Sequence, residues 1–221
     1  MLILYHLWMS PECRKVRIVL HEKRVAFQLC AENTQERRPG FLALNPAGEV
    51  PVLVESGGTA ISGSAAITEF LDEVYPNPAL MGGQAMARAE ARRLVYWFDV
   101  KFNSEVTNHL VGQKLTKRYL GQRPGGAAVR AGHANIHHHL DYIGYLTERR
   151  RWLAGDEFSL ADIAAAAHIS VVDYLGDVPW REHAEAKDWY ARIKSRPSFQ
   201  SILEDRIPGT PPQKQYANLD F

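Results

Sequence analysis

The sequence contains only two cysteines, Cys13 and Cys30, in 221 residues. Two cysteines cannot build the disulfide framework of a small secreted domain, and their scarcity is typical of a reducing compartment. An excess of one charge is also lacking, because 26 Lys and Arg balance 25 Asp and Glu to a net charge of +1. This balance gives no reason to expect nucleic acid as a partner.

Long hydrophobic runs are lacking as well. The longest, around residues 163–169, is far shorter than the roughly 20 apolar residues that cross a bilayer. The first residues, MLILYHLW, lack the basic leader of a signal peptide and predict a strand. We therefore expect a cytoplasmic protein with no membrane insertion.

The chain has two kinds of pattern. Residues 1–77 alternate short strand-like segments with amphipathic helices in the order βαβαββα, which indicates an α/β layer. The segment Tyr75-Pro76-Asn77-Pro78 interrupts the pattern, and residues 84–205 show only helical periodicity. Residues 206–221 hold three prolines and no periodicity, so they predict an extended tail.

The helical part contains two apolar stripes and a capping signal. One stripe consists of Leu94, Phe98, Phe102, Val106 and Leu110, and the other of Ile136, Leu140, Ile143 and Leu146. Ser159 and Asp162 form a capping box before an alanine-rich helix, which is apolar nearly all round and therefore predicted to be central. The tract His137-His138-His139 points in three directions on a helix, so we interpret it as a partly exposed face and expect no metal.

The first helix begins at Ser10-Pro11, with the serine at the cap and proline at the first helical position. Cys13 lies one turn inside, and we interpret it as a buried small hydrophobic residue. Cys30, on the second strand, has the same interpretation.

Four ordered motifs resemble the glutathione transferase superfamily. They are Ser10 to Ile18, Asn45 to Leu53, Ile61 to Leu71 and Phe158 to Ile163, and together they span nearly the whole chain. The resemblance implies an N-terminal thioredoxin-like domain followed by an all-helical domain of the glutathione transferase type.

The same resemblance implies a glutathione site. Val50 and Pro51 would form a cis peptide that presents Val50 to the cysteinyl part of glutathione, although the pair could equally be structural. Ser10 would stabilise the glutathione thiolate, and an ordinary N-cap explains it equally well. Ser64 would cap the third helix and receive the γ-glutamyl carboxylate.

Gly63 departs from the family pattern. Active relatives usually have Glu, Asp or Gln there, which anchors the γ-glutamyl ammonium. Without that acid or amide side chain, glutathione loses a charge-assisted hydrogen bond worth roughly 1.5–3 kcal/mol, which corresponds to about ten- to a hundredfold in affinity. The sequence therefore leaves glutathione as a doubtful ligand and enzyme activity as uncertain.

Several motifs of the second half resemble a narrower group, the FzlA-type proteins of α-proteobacteria. They include residues 97–106, 173–180 and 194–197, and the ending Tyr216-Ala217-Asn218-Leu219-Asp220-Phe221. The resemblance implies a homodimer, found at the division site, that binds FtsZ filaments through tail residues Tyr216, Leu219, Asp220 and Phe221. Composition alone instead favours a tail that frays or packs back on its own domain.

Two hypotheses follow. One is a non-catalytic cell-division regulator that binds FtsZ. The other is an active glutathione transferase that conjugates glutathione to a small electrophile, with Ser10, Val50, Pro51 and Ser64 in its site.

Overall fold

The first part of the chain is built around a four-stranded sheet, which the computed structural model describes within residues 1–219. The strands are β1 (Leu2–His6), β2 (Phe27–Ala31), β3 (Val52–Val54) and β4 (Ala60–Ser62), in the spatial order β2-β1-β3-β4. β1 pairs in parallel with β2, and β3 pairs antiparallel with both β1 and β4. With α1 (Pro11–Glu22), α2 (Pro39–Leu44) and α3 (Ser64–Val74), the order is βαβαββα. The predicted thioredoxin-like fold is confirmed.

The second part is helical. Its α-helices are α4 (Ala85–Tyr96), α5 (Asn108–Val111), α6 (Lys117–Tyr119), α7 (Gly126–Thr147), α8 (Leu160–Tyr174), α9 (Ala184–Lys194) and α10 (Pro197–Leu203). Short 3₁₀ turns occupy Thr34–Glu36 and Trp180–Glu182. Within residues 1–219, no helix is both long and apolar enough to cross a membrane. The predicted boundaries at 1–77, 84–205 and 206–221 stay predictions.

The helix that begins with α4 is wider than an α-helix over part of its length. Residues Trp97–Thr107 and Gly112–Thr116 are π-helical, and the N–H of Asn108 donates to the carbonyl of Asn103. The apolar stripe from Leu94 to Leu110 repeats every four residues, a longer period than the 3.6 of an α-helix. Local widening keeps the stripe on one face, and all five of its side chains are fully buried.

Helix α8 forms the centre of the helical part, as predicted. Every residue from Leu160 to Tyr174 is buried. Ser159 Oγ accepts the N–H of Ala161 at 3.3 Å, and Asp162 Oδ2 accepts the N–H of Ser159 at 3.0 Å. Asp162 Oδ1 also accepts from the Trp189 indole at 2.9 Å, which ties α8 to α9. The capping box therefore fixes both the start of α8 and a neighbouring helix.

Buried charges join α1 to the helical part. Arg17 donates to both carboxylate oxygens of Asp205, at 2.8 and 2.9 Å, and Arg14 lies 3.2 Å from the same carboxylate. Arg14 also donates to Ser170 Oγ on α8 at 2.9 Å. Because all these side chains are almost fully buried, each charge depends on its partner. Asp205 is the second residue after α10, so the network also fixes the start of the tail.

Candidate functional site

The predicted glutathione site begins at the N-terminus of α1. Ser10 Oγ accepts the N–H of Cys13 at 3.2 Å, so Ser10 is an N-cap. Its hydroxyl still has a hydrogen to donate, because a serine hydroxyl can accept and donate at once. Cys13 is fully buried, as predicted, and burial raises the pKa of its thiol to about 11. Cys30, by contrast, is only partly buried on β2.

The second group of predicted residues lies where β3 and α3 begin. The Val50–Pro51 peptide is cis, as the resemblance implies. The carbonyl of Pro51 accepts the N–H of Gly63 at 3.1 Å, which places Pro51 beside the start of α3. Ser64 does not cap α3: Gly63 is the N-cap, with φ +86°, and Ser64 is the first helical residue. A positive φ favours glycine, which explains why glycine holds this position at low cost.

An open cavity of about 730 Å³ lies next to Gly63 and Ser64, between α3 and the helix that begins with α4. Its charged lining residues are Glu12, Glu69, Arg92 and Asp99. Glu69 pairs with Arg92 at 2.9 Å, and Asp99 pairs with the buried Lys15. Glu69 and Asp99 therefore each have a cationic partner within the same chain. The remaining charged group, Glu12, has no ion-pair partner among residues 1–219.

The Glu12 carboxyl makes this cavity acidic. Burial is the largest cause that raises its pKa; nearby Asp99 and Glu49 raise it further, and Lys15 opposes them. Three acids thus face the region between the starts of α1, β3 and α3. A thiolate placed beside these acids would meet repulsion wherever they are ionised. Sequence reasoning missed Glu12, although its place directly after Pro11 put an acid in the first turn of α1.

His6 and Trp8 flank the loop before Ser10. His6 is fully buried, and burial, with the Arg17 charge, lowers its pKa to about 4. Trp8 packs edge-on against His6, with ring centroids 4.5 Å apart, and Arg17 stacks on its ring at 5.1 Å. His6 therefore belongs to the core, while Trp8 keeps one exposed side.

The histidine tract is not a uniformly exposed face. His139 is fully buried, which corrects the interpretation for that residue, and its ring lies between the Trp97 indole, at 3.0 Å, and Glu105, at 3.0 Å. His139 is buried because it lies on the same face of α7 as Ile136, and that face packs against the π-helical segment. Among residues 1–219, no group of three or more metal-ligating side chains is arranged to hold a metal.

The described part of the predicted tail, residues 206–219, packs back on the helical part. Tyr216 is fully buried; its hydroxyl donates to the Ile202 carbonyl at 2.8 Å, and its ring packs edge-on against Tyr174. Lys194 donates to the carbonyls of Gln215, at 3.2 Å, and Asn218, at 2.6 Å. In this conformation Tyr216 anchors the tail and offers no surface to a partner.

The last tail positions differ from Tyr216. Leu219 is 38% exposed, directly after the residue that Lys194 holds. Asp220 and Phe221, which the sequence also predicts as partner contacts, lie outside the described residues. Sequence reasoning missed Lys194 as the tail's anchor, because nothing in the local pattern of α9 points to a segment more than twenty residues further on.

Comparison with known proteins identifies the family. The glutathione S-transferase N-terminal domain model matches residues 4–79, and the C-terminal domain model matches residues 131–197. The chain is 46% identical to FtsZ-localized protein A of Caulobacter vibrioides, over 99% of this chain and 97% of that protein. It is 33% identical to glutathione S-transferase 3 of Zea mays, over 97% of this chain and 98% of that protein.

Solved structures agree with the sequence relatives. A glutathione S-transferase from Rhodospirillum rubrum superposes with a TM-score of 0.98 at 55% identity, covering all of both chains. FzlA from C. crescentus superposes with a TM-score of 0.97 at 46% identity, covering 100% of this chain and 99% of that one. Sequence and structure lead to the same conclusion: this chain belongs to the glutathione transferase superfamily, and within it to the FzlA-like proteins.

Proposed function

We propose that this chain is a non-catalytic FtsZ-binding protein that acts in cell division. The observation that carries the proposal is its likeness to FtsZ-localized protein A, which runs over 99% of the chain at 46% identity. The superposition on FzlA, with a TM-score of 0.97, extends that likeness to the whole fold. The transferases among the curated relatives, such as the maize protein at 33% identity, are more distant.

The chemistry of the predicted glutathione site supports a non-catalytic role. Gly63 offers no side chain to the γ-glutamyl ammonium. Glu12 places a further carboxyl group beside the helix terminus where a thiolate would lie. The site therefore lacks the usual side-chain contact to the ammonium and places an acidic residue near the proposed thiolate position.

The anchored tail supports the proposed binding region. Tyr216 and Lys194 hold the described part of the tail against α9 and α10, so Leu219 directly follows a fixed segment. A residue next to a fixed segment loses less conformational entropy on binding than one in a free tail would. We propose that Leu219, Asp220 and Phe221 contact FtsZ, and that Tyr216 positions them.

We also propose a cytoplasmic homodimer that locates to the division site. Tyr96 and Val100 are both exposed, lie four residues apart and border the cavity beside α3. Large apolar side chains that share one exposed face are typical of an interface. A second copy of the chain would cover them.

Cosedimentation with polymerised FtsZ tests the binding proposal. The intact chain should pellet with filaments, and a chain without Leu219, Asp220 and Phe221 should stay in the supernatant. Leu219→Ser should weaken binding about tenfold, since it removes an apolar contact. Leu120→Ser is the matched control, because Leu120 is a similarly exposed leucine far along the chain, and it should bind like the intact protein. If the intact protein does not pellet with filaments, the proposal is wrong.

A second candidate is an active glutathione transferase. It is favoured by the free hydrogen of the Ser10 hydroxyl at the start of α1 and by the 55% identity to the R. rubrum protein. Calorimetric titration with reduced glutathione tests it. Saturable binding in the micromolar to low-millimolar range, lost in Ser10→Ala or Ser64→Ala, would support this second function.

A further inference from the structure

One segment of the chain carries positive charge only. Between Glu105 and Asp141 there is no Asp or Glu, although the whole chain has almost as many acids as bases. The bases in this segment are Lys114, Lys117, Arg118, Arg123 and Arg130. This segment therefore carries a local excess of positive charge in a protein that is nearly neutral overall.

The segment forms the end of a helical hairpin. The long helix that begins with α4 ends in α6 (Lys117–Tyr119), and α7 begins at Gly126. The Gln113 side chain accepts the N–H of Gly125 at 2.9 Å and closes the turn. Residues 118–124 are all exposed, so they form a protruding tip. We call residues 117–124 the basic tip.

The cations of the basic tip form no ion pair with an acid of the described chain. Lys114, nearer the body, pairs with Asp177 at 2.6 Å. Among residues 1–219, no ion pair is formed by Lys117, Arg118 or Arg123, or by the neighbouring Arg130. Their charges are therefore available to an external partner.

The basic tip also exposes apolar surface. Tyr119 is 74% exposed and Leu120 is 46% exposed, and they adjoin Arg118 in the sequence. A tyrosine suits a boundary between water and an apolar phase, because its ring is apolar and its hydroxyl polar. Leucine beside it adds area that is favourable to remove from water.

We propose that the basic tip contacts an anionic membrane surface, with Lys117, Arg118 and Arg123 at the phosphates and Tyr119 and Leu120 at headgroup level. Charge complementarity favours an anionic surface, and shape favours a membrane over an acidic peptide. A peptide is bound in a groove or at a strand edge, whereas the tip protrudes. No residue of the basic tip lines the cavity beside α3 or the cavity beside Leu80 and Trp152.

Vesicle flotation tests the proposal with the full chain and no FtsZ. The protein should float with vesicles of phosphatidylglycerol and phosphatidylcholine at low salt, and should not float with phosphatidylcholine alone. Added salt should release it, because the interaction is screened. Each cation near an anionic membrane strengthens binding about fivefold, so Arg118→Gln with Arg123→Gln should weaken it about 25-fold. Tyr119→Ser with Leu120→Ser should weaken binding and leave the salt dependence unchanged.

The matched control removes the same charge elsewhere. Arg151→Gln with Arg181→Gln, both exposed and away from the basic tip, should float like the parent protein. Equal losses in the two double variants would overturn the proposal, since net charge alone would then explain binding. Absence of flotation at low salt would also overturn it, as would retention on poly-glutamate without flotation, which would indicate an acidic protein partner. The filament assay contains no lipid, so its outcome is independent of this one.

Discussion

Replacing Gly63 with glutamine should raise the affinity of this chain for glutathione. A Cβ at this position meets no atom within 4 Å, so the side chain has room. A new charge-assisted hydrogen bond to the ammonium is worth roughly 1.5–3 kcal/mol, which corresponds to about ten- to a hundredfold tighter binding. Titration calorimetry with reduced glutathione measures this gain against the parent protein.

The same substitution should cost stability. The backbone of Gly63 has φ +86°, where a side chain costs roughly 1–2 kcal/mol. For a chain of this size, about 1 kcal/mol corresponds to about 2–4 °C in Tm. We therefore expect Gly63→Gln to melt about 2–8 °C below the parent, in a thermal scan made without glutathione.

Gly58 provides the matched control. It has φ +85°, no atom within 4 Å of an added Cβ, and a place in the exposed turn between β3 and β4. Gly58→Gln should lose similar stability and gain no affinity for glutathione. Unchanged affinity in a folded Gly63→Gln protein would refute the reasoning that Gly63 is the position of the lost anchor.

Three further predictions concern buried charge and assembly. Asp205→Asn should lower the unfolding free energy by about 3 kcal/mol, measured by urea denaturation, because Arg14 and Arg17 keep buried charges without their carboxylate. Burial raises the pKa of Asp173 to about 6. Between about pH 4 and pH 6 the folded state therefore binds more protons than the unfolded state, and the free energy of unfolding falls as the pH rises through that range. Asp173→Asn should therefore be more stable than the parent by up to about 3 kcal/mol at pH 8 and equal to it at pH 4; equal stability at both would contradict this. Tyr96→Glu should convert the proposed dimer to a monomer in light scattering, and a parent protein that is already monomeric would end the dimer proposal.

Local patterns account for most of the fold. The buried stripes, the capping box at Ser159 and the N-cap at Ser10 each depend on residues within one or two turns. Interactions of that range can be predicted from spacing and residue type. The order of strands and helices follows from them, and the structure agrees.

Long-range packing limits what the sequence can predict. The Arg17–Asp205 pair joins residues that are 188 positions apart in the sequence. The hydrogen bond from the Tyr216 hydroxyl to the Ile202 carbonyl fastens the tail to α10. Neither has a periodic signal. The start of α3 is also hard to predict from residues 63–64, since serine is a common N-cap. In the structure Gly63, with its positive φ, is the N-cap, one residue before Ser64.

The candidate site shows the same division. The sequence predicts that Ser10, Pro51 and Ser64 lie near one another, and the bond from Gly63 to Pro51 supports that placement for two of the three segments. The charge of the site depends on Glu12, Glu49 and Asp99, which approach one another only in three dimensions. Motifs therefore indicate the shape of the site, while its electrostatics depends on tertiary structure.

The retained features of the site have roles that need no ligand. Ser10 caps α1, and Pro51 accepts a backbone hydrogen bond that fixes the start of α3. Glu12 places its own carboxylate in the first turn of α1, where the helix dipole favours negative charge. Folding explains the residues that this chain shares with transferases, whereas the proposal that glutathione is not bound depends on Gly63 and Glu12.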